Sequence, residues 1–159
     1  MATTEAHLKA TLRGDLTDAM RSKDQLRTAT IRMVLSALSV AEVAGKEHRE
    51  LSDDEVLAVL RSEVKKRREA AEAFEQAGRQ ESAERERAEE QVIATYLPAQ
   101  LDDDALAAIV SEEIQKAAAN GKTGMAAMGM VMGAVKPRIG QQAEGGRVAA
   151  EVKRQLSGA

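Results

Sequence analysis

Cysteine and tryptophan are absent from the 159-residue chain, and the aromatic residues are one phenylalanine and one tyrosine, Phe74 and Tyr96. Without cysteine there is no disulfide framework, no thiolate nucleophile and no cysteine-ligated metal, a composition that fits a reducing compartment. Without aromatic platforms the chain cannot stack splayed bases, which excludes single-stranded RNA binders of the stacking kind. Long apolar runs are missing too. The most apolar stretch, Ile31 to Ala41, is broken by Arg32, Ser36 and Ser39 and is too short and polar to span a bilayer. The opening Met1-Ala2-Thr3-Thr4-Glu5 has no apolar segment of the kind a secretory signal carries. A soluble, cytoplasmic protein without membrane attachment is expected.

What is present favours helices. Charged residues make up 31% of the chain, alanine, glutamate and arginine are abundant, and the aromatic residues that sheets prefer are scarce. The net charge of −3 is unevenly spread: residues 1–114 hold 16 Lys+Arg against 24 Asp+Glu, a net of −8, and residues 115–159 hold 7 against 2, a net of +5. A basic segment on an acidic molecule is an electrostatic address for an anionic partner, unless it is only the solvated face of a small bundle.

Periodicity places about seven helices. Leu8, Leu12, Leu16 and Met20 form one stripe of a first helix. Ser22-Lys23-Asp24 interrupts it, with Asp24 capping a second helix marked by Leu26, Ala29, Met33, Ala37, Val40 and Ala41, widened by Val34, Leu35 and Leu38, and ending near Gly45. Ser52-Asp53-Asp54-Glu55 is a capping box, with Leu51 placed to staple back on Val56. A long third helix runs through Leu57, Leu60, Val64, Ala71 and Phe74 to Gly78, and a fourth buries Val92, Ile93, Tyr96 and Leu97. Pro98-Ala99-Gln100 reads as a linker, dividing an N-terminal part, 1–97, from a tail, 98–159. In the tail, Asp102-Asp103-Asp104 caps a fifth helix that Asn120-Gly121 stops; a sixth starts at Thr123 or Gly124 and is limited by Pro137; a last helix carries Val148, Val152 and Leu156.

The candidate constellations are few. Arg61, Lys65, Lys66, Arg67 and Arg68 are the densest basic run; Arg61, Lys65 and Arg68 share a face that could meet phosphates, but Glu63, Glu69 and Glu72 offer i,i+4 pairing, the commoner role. The alternating charges of Glu84 to Glu90 read as an exposed, self-paired helix. Met125, Met128 and Met132 have core spacing, whereas Met130 falls on another face. Gly129 and Gly133 make a thin stripe that would admit another helix or a ligand backbone. Gly140, Gly145 and Gly146 match neither nucleotide-binding loop, but they precede a helix N-terminus beside Arg147, where backbone N–H groups could hold a phosphate. His7 and His48 have no second ligand at metal spacing, the three consecutive aspartates are explained by capping, and no catalytic triad or carboxylate pair stands out. No catalytic residue, metal site or cofactor is expected.

Several segments resemble the YqeY family. They are Leu12-Arg13-Gly14-Asp15-Leu16-Thr17-Asp18-Ala19-Met20 with Ile31-Arg32-Met33-Val34-Leu35-Ser36-Ala37; Leu51-Ser52-Asp53-Asp54-Glu55-Val56 with Glu63-Val64-Lys65-Lys66-Arg67-Arg68-Glu69-Ala70; Phe74-Glu75-Gln76-Ala77-Gly78-Arg79; and Tyr96-Leu97-Pro98-Ala99-Gln100-Leu101. Met128-Gly129-Met130-Val131-Met132-Gly133-Ala134-Val135 resembles the family's end, which is shared with the C-terminal domain of GatB. The resemblance runs in order over nearly the whole chain. It implies an all-α protein with a larger N-terminal helical subdomain and a small three-helix tail domain. GatB is a subunit of the glutamine-dependent amidotransferase that corrects misacylated tRNA, and its tail contacts the tRNA body; the catalytic parts of that enzyme have no counterpart here. The segment Gly140-Gln141-Gln142-Ala143-Glu144-Gly145 departs from the family's glycine-arginine-alanine-aspartate-glycine pattern, so that glutamine replaces one basic side chain.

Together, the basic tail and the resemblance lead to the expectation of a non-catalytic, tRNA-binding accessory protein. Lys136, Arg138, Arg147, Lys153 and Arg154 would meet phosphates, and Gly133 and Gly145 would permit close backbone approach. The alternatives are a helical adaptor that binds a protein partner through Met130 and the third and fourth helices, and a component of glutamine-dependent tRNA amidation, a carbon–nitrogen ligase activity.

Overall fold

The computed structural model describes residues 7–158; the polar opening Met1–Glu5, read above for targeting, lies outside them. Seven α-helices follow one another: α1 His7–Arg21, α2 Gln25–Glu42, α3 Asp53–Gln76, α4 Gln80–Ala94, α5 Asp103–Ala119, α6 Met128–Ile139 and α7 Gly145–Leu156. Single 3-10 turns, Gly124–Ala127 and Gly140–Gln142, flank α6, and no strand occurs among the described residues. The protein is all-α. None of these helices is long and apolar enough to cross a membrane. Two compact units divide the chain, Met1–Leu97 and Pro98–Ala159.

In the first unit, local chemistry sets the helix ends. Asp24 accepts the Arg27 N–H at 3.0 Å and so starts α2. The Ser52 hydroxyl accepts the Glu55 N–H while the Glu55 carboxylate reaches back to the Ser52 N–H, so the capping box is complete. Leu51 and Val56 are buried in the same cluster, as a staple requires. Gly78 adopts φ +73 just beyond α3, a left-handed turn that lets α4 fold back. Gly45 does not play this part for α2. That helix ends three residues earlier at Glu42, and the Arg49 N–H returns to the Glu42 carbonyl at 2.9 Å. The core joins Leu12, Ile31, Val34, Leu38, Val56, Leu60 and Ile93.

Two expected faces are corrected. Met20 of the α1 stripe is 43% exposed, and Met33 and Val40 of the α2 stripe are 50% and 67% exposed. Val34 and Leu38 face inward as expected, joined by Thr30, Ile31 and Glu42, which the stripe did not include. Both faces of α2 carry apolar residues, so periodicity alone could not choose between them.

In the second unit α5, α6 and α7 pack on one another around Leu106, Val110, Val131, Val135, Ile139, Val148 and Val152. Asp102 caps α5 through the Ala105 N–H at 2.7 Å, and Gly121, at φ +79, ends it. Pro137 does not limit α6; it sits inside the helix, which continues to Ile139 and is closed by Gly140 at φ +54. The helix therefore runs past the proline, at the expense of the one backbone hydrogen bond that a Pro137 N–H would have made. The 3-10 turn after it is tied to the start of the unit: Leu101 N–H donates to the Gln142 carbonyl at 2.8 Å and Gln100 Nε2 to the Gln141 carbonyl at 3.2 Å. Met128 and Met132 pack against the core as expected, but Met125 is 50% exposed.

Candidate functional site

The fold rearranges the charge of the tail. Residues 98–159 carry seven Lys+Arg and seven Asp+Glu, so the +5 of residues 115–159 meets the acidic side chains of α5 and its cap within one unit. Arg138 Nη1 donates to Glu113 and Nη2 to Glu112, both at 2.8 Å. Glu113 is almost covered and is also paired with Lys116 at 3.1 Å. Arg138 and Lys116 together hold its carboxyl below the usual range, Arg138 acting most. Arg138 is therefore a brace between α6 and α5.

Arg154 donates to both carboxylate oxygens of Glu151 one turn back, at 2.9 and 2.6 Å. This pairing, with help from Gln155, lowers the Glu151 pKa to about 2. Arg147 reaches only Asp103, at 2.9 Å, and Asp103 is 95% exposed. A pair this open contributes about 0–1 kcal/mol, so Arg147 can exchange Asp103 for another anion at small cost. Arg147, Ala150, Glu151 and Arg154 line a shallow groove between α7 and the start of α5, opposite Asp103, Asp104 and Ala107.

Lys136 and Lys153 are exposed, and among the described residues no hydrogen bond or ion pair engages either ammonium. Lys122, in the loop after α5, is exposed and unengaged in the same way; the charge pattern gave no reason to single it out. Lys136 shares the outer face of α6 with Gly129 and Gly133, so two successive turns of that face carry no side chain before the lysine. A Cβ at either glycine would meet nothing within 4 Å, so no described helix of the tail unit packs on the thin stripe. Pro137, which has no N–H, leaves the Gly133 carbonyl without its helical donor on that same face. Met130, 46% exposed, borders it.

Gly145 and Gly146 open α7, where the Glu144 side chain makes no cap. Both are exposed, so the first N–H groups of the helix stand bare beside Arg147. Of the seven residues expected from sequence, Lys136, Lys153, Gly133 and Gly145 thus face outward unengaged. Arg147 is loosely held, and Arg138 and Arg154 are occupied by carboxylates of their own unit.

The other basic run is mostly consumed inside the first unit. Arg67 is buried and donates to the Glu63 carboxylate at 2.7 Å, with Glu89 of α4 at 3.4 Å. Arg68 pairs with Glu90 of α4, and Lys66 with Glu63. Tyr96 donates to Asp15 at 2.5 Å, and Arg27 lies 3.5 Å from the same carboxylate. No group of three or more side chains able to hold a metal gathers among the described residues. His48 lies alone at 3.4 Å from Glu42.

Comparison with known proteins follows the same outline. A family model described as Yqey-like protein matches residues 9–156. A protein of Schizosaccharomyces pombe described as uncharacterized protein C22F3.15 is 34% identical over 93 residues, a match that covers 58% of this chain and 73% of the yeast one.

Proposed function

The chain belongs to the YqeY family, and from that premise we propose that it is a non-catalytic accessory protein whose tail unit holds the body of a tRNA. The observation that carries the proposal is the start of α7: an uncapped turn with two exposed glycines, followed by an arginine whose only anionic partner is a fully exposed aspartate. Such a turn offers backbone donors and a positive helix end to a phosphate. The unengaged Lys136 and Lys153 add two mobile charges, and the bare Gly129–Gly133 face lets a sugar–phosphate backbone come close. These contacts position a nucleic acid without reading its sequence. The resemblance of this unit to the GatB tail selects tRNA among structured RNAs.

Because the unit is electrically balanced, the field is local and the number of phosphates neutralised is small. With Lys136, Arg147 and Lys153 engaged, log K should fall with log salt at a slope of about −2 to −3. A filter-binding titration against bulk tRNA at several salt concentrations tests this. Replacing Lys136 and Lys153 with glutamate should abolish binding while the helical content is unchanged. Absence of salt-dependent binding at low ionic strength, or binding indifferent to both substitutions, would remove the proposal.

A further inference from the structure

The α2 helix of the first unit has a second, outward face that the tail proposal does not use. Ala29, Met33, Ser36, Val40 and Val43 follow one another at helical spacing on the side opposite Ile31, Val34 and Leu38. Met33, Val40 and Val43 are 50%, 67% and 59% exposed, and Met20 of α1 adjoins the lower end at 43%. Four of the six large exposed apolar side chains among the described residues lie here, so this is a patch and not scatter.

At the N-terminal end of that face the surface becomes concave. Met20, Lys23, Gln25, Thr28, Ala29 and Arg32 line the depression, and no carboxylate is among them. Arg32 Nη2 touches the Met20 sulfur at 3.2 Å, and among the described residues neither Arg32 nor the Lys23 ammonium has an anionic partner. Asp24, the nearest acid in sequence, spends its carboxylate on capping α2. Lys23 also sits at φ +59, a left-handed conformation that glycine adopts far more readily. Lys9, Arg49, Lys66, Arg67, Arg68 and Arg87 of this unit find carboxylates, whereas Lys23 and Arg32, like the exposed Arg21 and Lys46, do not; Lys23 and Arg32 are the two that line one depression.

The geometry points to a docking site on α1–α2 for an acidic amphipathic helix of a partner protein. Its apolar side chains, at i, i+3, i+4 and i+7, lie along Met33, Val40 and Val43. Its acidic end enters the depression and supplies the carboxylates that Lys23 and Arg32 lack. The choice of a partner rests on this charge complementarity: apolar burial would accept any amphipathic helix, whereas two unpaired cations without a local acid select against a basic one.

The test uses the full chain and fluorescein-labelled, stapled helical peptides of about 18 residues with leucines at the anchor spacing. Each carries at one end three glutamates, three glutamines or three lysines. Fluorescence anisotropy should rank the glutamate peptide about tenfold tighter than the lysine peptide at low salt. Lys23→Glu with Arg32→Glu should reverse that order, and Val40→Asp with Val43→Asp should weaken every peptide about tenfold or more. All four positions are exposed, and circular dichroism verifies that each variant is folded. A tail variant, Lys136→Glu with Lys153→Glu, should leave peptide binding unchanged. The inference is overturned if no peptide binds below about 100 µM, or if the three bind alike. A dimer by light scattering that dissociates on Val40→Asp would also overturn it, since the face would then belong to a second copy of the chain.

Discussion

Replacing Arg67 with methionine should take a large part of the stability of the Met1–Leu97 unit. Arg67 is 4% exposed, between Glu63 at 8% and Glu89 at 6%. Methionine fills a similar volume, so little cavity forms. What remains is two buried carboxylates whose other cations, Lys66 and Arg85, are about 70% exposed and reach only from the rim. Breaking a buried pair by removing one member costs about 3–5 kcal/mol, because the survivor is left uncompensated. A unit of this size has roughly 5–15 kcal/mol in total.

The chain provides its own probe. Tyr96 is its one tyrosine and there is no tryptophan, so intrinsic fluorescence follows the first unit alone. With a urea m-value of about 1–2 kcal/mol per molar, the midpoint should fall by about 1.5–5 M at pH 7. The pH dependence makes the cause visible. Burial pushes the Glu63 carboxyl up, but Arg67 and Lys66 outweigh it and hold it below the ordinary value of 4.5. In the native protein the site's stabilisation is therefore present at neutral pH and is lost as pH falls through that depressed value. In the variant, burial acts almost unopposed, the folded pKa rises above the unfolded one, and acidification restores stability. The deficit should shrink between about pH 7 and pH 4.5, near the unfolded carboxyl value. Neutralising both acids in the same variant, with Glu63→Gln and Glu89→Gln, should recover much of the loss. A midpoint shift below about 0.5 M, or one of equal size at both pH values, would refute the reasoning.

Other substitutions separate the roles of the tail and of Tyr96. Gly129→Ala with Gly133→Ala should stabilise the tail unit by about 1–2 kcal/mol, since each glycine costs about 1 kcal/mol in a helix and nothing blocks a Cβ; calorimetry reads the gain, and filter binding should show weaker tRNA retention. Arg138→Ala should lower the melting temperature of the tail by leaving Glu113 with Lys116 alone, while tRNA affinity of the folded protein stays within about twofold, because Arg138 is not free to meet phosphates. Tyr96→Phe should cost about 1–2 kcal/mol by removing the bond to Asp15, read by circular dichroism. Burial, and then Asp15, raises the Tyr96 pKa above 10, so the native protein should lose this contribution as pH rises through the raised value, and the phenylalanine variant should lack that alkaline step.

Signals written in adjacent residues were legible in the sequence. The Ser52–Glu55 box, the Asp24 and Asp102 caps and the Gly78 and Gly121 stops all depend on backbone groups within a turn of the residue that satisfies them. The misreadings involve partners distant in sequence. Glu63 could be matched to Arg67 by its i,i+4 spacing, but Glu89 arrives from α4, and only the α3–α4 pairing turns a solvated basic run into a buried network. Gly45 looked like a helix stop, yet the loop closes through Arg49, seven residues beyond Glu42.

The candidate site follows the same rule. A charge count over a sequence window follows chain order, whereas a phosphate meets the charge left after folding has paired what it can. Glu113 is 25 residues from Arg138 and Asp103 is 44 from Arg147, so the window that made the tail +5 excluded the acids that answer it. Those acids capture Arg138 and Arg147, and Glu151 within the window takes Arg154; the planar forks of arginine suit carboxylates, and among the described residues Lys122, Lys136 and Lys153 are left unpaired. Charge reversal at the lysines should therefore act on tRNA retention, and substitution of Arg138 on folding. If Arg138→Ala and Lys136→Glu instead weakened tRNA retention equally at matched stability, pairing within the unit would not determine which cations are available to a partner.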